Sequence, residues 1–181
     1  METRSANLPT LRGWLLEAEY DSILELASRV KRILSLLTAL AYDIDISVSE
    51  HAITATGLAA KIIAERDPEY VRNYLLRLFW LVSDESGGIC WRAPELIGEI
   101  LYNCPNFEQF FPMLISLLDL EKEDILSFLP GTLWAIGRVA QVAREAMLPA
   151  LPLIKTYASL DNEPETKEIA SWCIRQLTAE N

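Results

Sequence analysis

This 181-residue chain is poor in the residue types that usually announce a site. It holds three cysteines, Cys90, Cys104 and Cys173, an odd number without a CxxC pair, and one histidine, His51. That inventory supports neither a zinc-type ligand set nor a secreted disulfide framework, and no metal or cofactor is expected. Nine basic residues face thirteen acidic ones in residues 1–90, and seven face thirteen in residues 91–181. Neither half is a basic module, so general polyanion binding is disfavoured. The longest apolar stretch, Ile33 to Tyr42, is too short to span a bilayer. The start lacks a basic segment followed by an apolar one, so a cytoplasmic protein without a membrane role is expected.

Apolar residues are abundant, at 51% against 23% charged. One domain with a substantial core, spanning 1–181, is the expectation. The apolar residues recur at spacings of three and four from one end to the other, and no strand candidate survives. Pro9-Thr10 and Asp21 mark two short helices within 1–28, Asp45 and Asp67-Pro68 mark longer ones, and Pro94 lies in the first turn of a central helix. Phe107 to Leu118 reads as one further helical stripe. Pro130 reads as a kink inside a helix that runs from Ile125 to Val139.

A repeat underlies this pattern. The segments ITATGLA (from Ile53), PELIGEI (from Pro94), LWAIGRV (from Leu133) and SWCIRQL (from Ser171) align, with Gly57, Gly98, Gly137 and Arg175 in the fifth position. Successive copies lie 41, 39 and 38 residues apart. Five positions before these stand Ala52, Ala93, Thr132 and Ala170, all small. A period near forty built from helix pairs predicts an all-α solenoid of about four pairs, near 29–65, 67–103, 106–141 and 143–178, behind N-terminal capping helices. Glycine inside a helix costs about 1 kcal/mol relative to alanine, so Gly57, Gly98 and Gly137 imply close approach between helices.

At these residues the chain resembles HEAT-type repeats and, more loosely, the armadillo-like superfamily. Asp45, Val48-Ser49, Ala52 and Ala55-Thr56-Gly57 follow the HEAT pattern, as do Glu163, Thr166-Lys167, Ala170 and Cys173-Ile174-Arg175. Ser49 and Lys167 replace the arginine usual after the valine. DESGGICWRAPE with PGTLWAIGRVAQ is also similar to a group of uncharacterised bacterial HEAT-repeat proteins. The resemblance implies a right-handed α-α superhelix whose second helices line a concave binding face.

It places Trp91, Arg92, Glu95, Glu99, Trp134, Arg138, Trp172 and Arg175 as groove candidates. Glu95 and Glu99 repel one another at i,i+4, and Arg92 or Arg138 can neutralise them, either as inter-repeat salt bridges or as part of a ligand site. The tryptophans read as core or as a stacking surface. Gly87 and Gly88 form a tight connection, or an anion nest that Asp84 and Glu85 oppose.

Three functions fit. The leading one is a non-enzymatic interaction module whose groove holds a protein or peptide partner with a basic segment. The alternative is an alkylation-repair-like DNA-binding protein or glycosylase using the same groove, which net charge disfavours. Assistance to a prosthetic group, as in HEAT-like phycobilin lyases, is a third, by fold analogy alone. Self-association is left open.

Overall fold

The structure is a computed structural model that describes residues 7–83, 91–118, 128–159 and 164–179. Gly87, Gly88, Cys90 and the acidic stretch at 121–124 lie outside the described residues. Every regular element among those described is helical, as the apolar spacing predicts.

Two short helices, α1 (Leu8–Leu16) and α2 (Tyr20–Ala27), form the N-terminal cap. The side chain of Asn7 accepts the Thr10 N–H at 3.0 Å and starts α1. Asp21 lies in the first turn of α2 and does not cap it; Glu19 holds the cap position. Between the two helices Ala18 adopts a left-handed backbone with φ of 51°. Four helix pairs follow among the described residues. The outer members are α3 (Ile33–Leu40), α5 (Pro68–Ser83), α7 (Phe111–Ser116) and α9 (Leu151–Ala158). The inner members are α4 (Ile46–Ala64), α6 (Ala93–Asn103), α8 (Leu129–Met147) and α10 (Pro164–Thr178).

Each outer helix packs on the inner helix that follows it, and each inner helix packs on the next inner one. Contacts between successive outer helices are far sparser among the described residues. A layer that stacks closely while its companion splays must lie on the inside of the curve. The fold is an all-α solenoid with α4, α6, α8 and α10 as its spine, and the N-terminal cap closes one end against α4.

The glycines allow that stacking. A Cβ on Gly57 would stand 2.5 Å from the Glu99 carbonyl oxygen, and one on Gly98 would stand 2.7 Å from the Ala135 Cβ. One on Gly137 would overlap the Trp172 ring. Ala52, Ala93, Thr132 and Ala170 are all buried beside them.

Hydrogen bonds between pairs carry the same period. Tyr74 on α5 donates to the Leu34 carbonyl at 3.0 Å, forty residues back, and Tyr157 on α9 donates to the Leu118 carbonyl at 3.1 Å, thirty-nine back. Burial raises the Tyr74 phenol to about 12, so it stays a donor at any physiological pH. Arg66 reaches the Ala27 carbonyl in the same sense.

Two prolines act differently from the expectation. Pro130 sits in the first turn of α8, where its missing N–H costs nothing, and causes no kink. The irregular backbone of that helix is at Ala143 (φ −142°, ψ 50°). The stripe from Phe107 is not one α-helix: residues Pro105–Phe110 form a 3-10 segment, and α7 restarts at Phe111. The backbone departs from helix at Phe107 (φ −89°, ψ 34°), and Pro112 lies in the first turn of α7, where its missing N–H costs no hydrogen bond. The phenylalanines of both segments still face the core, where Phe110 stacks on Phe79 with ring centroids 5.9 Å apart.

Candidate functional site

The spine places α6 between α4 and α8, so a polar side chain on α6 is buried unless it leans to the open inner face. Glu99 is held within the interface. Its side chain is 4% exposed, and burial pushes the carboxyl above its ordinary range while Arg138 pulls the other way. Arg138 Nε donates to Glu99 Oε1 at 2.8 Å, and the guanidinium lies 3.4 Å from the centroid of the Tyr102 ring. Asn103 Nδ2 donates to Glu99 Oε2 at 3.1 Å. Both carboxylate oxygens of Glu99 are therefore partnered.

Glu95, one turn earlier, is treated differently. Arg92 Nη1 donates to Glu95 Oε1 at 3.0 Å, and Arg92 Nη2 donates to Ser49 Oγ on α4 at 3.0 Å. Glu95 Oε2 is fully buried and has no hydrogen-bond partner among the described residues. It lies against Gly131, where a Cβ would stand 2.4 Å from it. Only glycine leaves room for the carboxylate there. Burial raises the Glu95 carboxyl, and Arg92 only partly offsets it.

Above Glu95 and Gly131 opens a cleft of about 370 Å³. Glu50 and Thr54 of α4 line one side, Trp134 of α8 lines another, and Glu165 of α10 closes the rim. Three carboxylates thus face one guanidinium, and that guanidinium is already engaged. Thr54, Glu95 and Trp134 occupy the same column of the repeat, three residues before Gly57, Gly98 and Gly137. Identical positions on stacked helices project to one face, and this column was the sequence signal for the cleft. Glu50 and Glu165 lie outside that column, and sequence reasoning missed them.

The remaining candidates are spread along the face. Trp91 precedes α6 rather than lying within it, is 54% exposed, and packs edge-to-face on Tyr42 at 5.4 Å. Trp172 of α10 fills the space over Gly137, and Arg175 is exposed on the same helix. Pro94 occupies the first turn of α6. Away from the cleft, His51 Nδ1 bonds the Leu15 carbonyl at 2.6 Å and ties the cap to α4. Cys104 and Cys173 are buried, with burial pushing their thiols up to about 11 and about 12.

Among the described residues no group of three or more His, Cys, Asp or Glu is placed to hold a metal ion, and no helix is long and apolar enough to cross a membrane.

No protein-family pattern matches the chain. An uncharacterised protein of Archaeoglobus fulgidus is 40% identical over 93 residues, which cover 49% of this chain and 47% of that one. The chain spans about half the length of that relative. Among solved structures, a designed armadillo repeat protein in complex with the peptide (KR)4 is similar at 20% identity and a TM-score of 0.49, over 93% of this chain and 80% of that one. Computationally designed armadillo repeat proteins for modular peptide recognition are similar at 18% identity and a TM-score of 0.45, over 95% of this chain and 100% of theirs. The all-α solenoid character of the fold rests on its own stacking of α4, α6, α8 and α10.

Proposed function

We propose that the chain is a non-catalytic interaction module that holds a segment of a partner protein along the face formed by α4, α6, α8 and α10. The observation that carries this reading is the open cleft on that face, with carboxylates from three of the four spine helices, α4, α6 and α10, and the Trp134 side chain of α8 lining it. Short helices rigidly stacked behind a face present side chains in fixed register, which suits recognition of an extended segment. The acidic lining favours a partner segment with basic residues over a nucleic-acid backbone, because phosphates would meet Glu50 and Glu165 before any uncommitted guanidinium.

The test is capture of partners by tagged wild-type protein beside a variant with Glu50→Lys and Glu165→Lys, which reverses the charge of the cleft rim. Both residues are exposed, one on α4 and the other on α10. A protein held by the wild type and released by a variant of unchanged melting temperature supports the reading. Capture that is equal for both, or that vanishes after nuclease treatment, overturns it.

A further inference from the structure

The interface of α6 and α8 contains a filled guanidinium site and, one helical turn away, an unfilled counterpart. In the filled site Arg138 lies on the face of Tyr102 and donates to the buried carboxylate of Glu99. One turn back on α6 stands Glu95, and one turn back on α8 stands Trp134. These two repeat the same ingredients, a buried carboxylate and an aromatic ring, with no cation between them among the described residues. Arg92 takes Oε1 of Glu95 and is further committed to Ser49. The other oxygen is unpartnered in a residue only 9% exposed, at the floor of the cleft.

Resting on the groove reading above, we propose that this cleft receives an arginine side chain of the partner segment. Its guanidinium lies on Trp134 and pairs with the rim carboxylates Glu50 and Glu165, which together with Glu95 beneath outnumber Arg92, the one cation in the lining. A buried charge acts through a low dielectric and so attracts a cation more strongly than a solvated one does. Arginine suits the site because its planar guanidinium both stacks on an indole and pairs with carboxylates through several donors. The carboxylates do not converge as a metal site requires. Their spread over three helices fits an extended organic cation.

The test uses the full chain and a short acetylated, amidated peptide of alternating arginine and serine, beside the same peptide with citrulline in place of arginine. Citrulline keeps the shape and removes the charge. Binding is read by calorimetry and by tryptophan fluorescence. The arginine peptide is expected to bind about tenfold more tightly than the citrulline peptide. Glu50→Gln and Glu165→Gln, both at exposed positions, are each expected to weaken it about threefold. Trp134→Phe weakens it by a similar factor and reduces the fluorescence change. Glu17→Gln, on the N-terminal cap, leaves affinity unchanged.

Equal binding of both peptides, or affinity indifferent to Glu50→Gln, Glu165→Gln and Trp134→Phe, overturns the proposal. If the arginine peptide instead responds only to Gln141→Lys or Arg175→Glu, the cleft assignment falls and the groove reading stands. If neither peptide binds, the arginine site falls, and the capture experiment decides the groove reading separately.

Discussion

Arg138 and Glu99, thirty-nine residues apart in sequence, meet at 2.8 Å across the α6–α8 contact and join two repeats by a nearly buried ion pair. Such a pair is costly to form and more costly to break, because the survivor is left charged and desolvated. Arg138→Met keeps an unbranched apolar chain over Tyr102 but strands Glu99. We expect a loss of about 3 kcal/mol in urea unfolding. The double variant Glu99→Gln with Arg138→Met should fall within about 1 kcal/mol of wild type, since no uncompensated charge remains. A double variant no better than Arg138→Met would show that packing, not charge, dominates the site.

The glycines make a graded prediction. Gly98→Ala and Gly57→Ala press a methyl group against a neighbouring helix, at Ala135 and at the Glu99 carbonyl, and neither helix can yield alone. Each is expected to cost about 1–3 kcal/mol by overpacking. Gly137→Ala meets the Trp172 ring, a side chain that can tilt, so its cost is smaller. Gly13→Ala, with nothing within 4 Å of the new methyl, should stabilise by up to about 1 kcal/mol through helix propensity. Thermal melts of the four variants check the order, and a Gly98→Ala protein that melts with wild type would refute the close-approach account.

Glu95, like Glu99, makes stability depend on pH in the direction opposite to Asp43, Asp45 and Asp67. Burial raises its folded pKa, so its favourable contribution is present below the unfolded value and lost as pH rises through the folded one. Asp43, Asp45 and Asp67 are lowered by hydrogen bonds to Arg12, Ser47 and Lys31 respectively, and their contributions are lost as pH falls. The wild-type acid profile mixes the two signs. Glu95→Gln isolates one of them: its stability relative to wild type should improve as pH rises from about 4, the unfolded carboxyl range, toward neutrality. Urea titrations at several pH values measure this difference. A difference that is flat with pH, or that declines, would mean that Arg92 fully compensates the buried carboxylate.

The tyrosine and arginine contacts show what a repeat pattern conveys and what it omits. Ser49 stands where the HEAT pattern places an arginine, which by itself argues against a ladder between repeats. The ladder is nonetheless made from the other side, since Arg92 of the next repeat donates to Ser49. A sequence pattern records residue types at positions, whereas a hydrogen bond needs only that a donor and an acceptor arrive together. The same distinction explains Trp91. Its type and approximate place suggest a residue of α6, but the helix begins at Ala93, and the ring packs on Tyr42 instead.

The sequence by itself determined the helical class, the forty-residue period and the positions of close approach. Each follows from local chemistry: apolar spacing, caps such as Asp45, and glycines placed where a helix would otherwise reject them. Pro130 was visible as an interruption, but whether a proline kinks a helix or begins one depends on where the preceding turn ends. The tertiary structure alone decided which carboxylates are partnered. Glu95 and Glu99 are the same residue type one turn apart on α6, yet Arg138 completes Glu99, while Gly131 and a shared Arg92 leave one oxygen of Glu95 without a donor. Glu50 and Glu165 join them only because stacking brings α4, α6, α8 and α10 to one face, and no local pattern encodes that meeting.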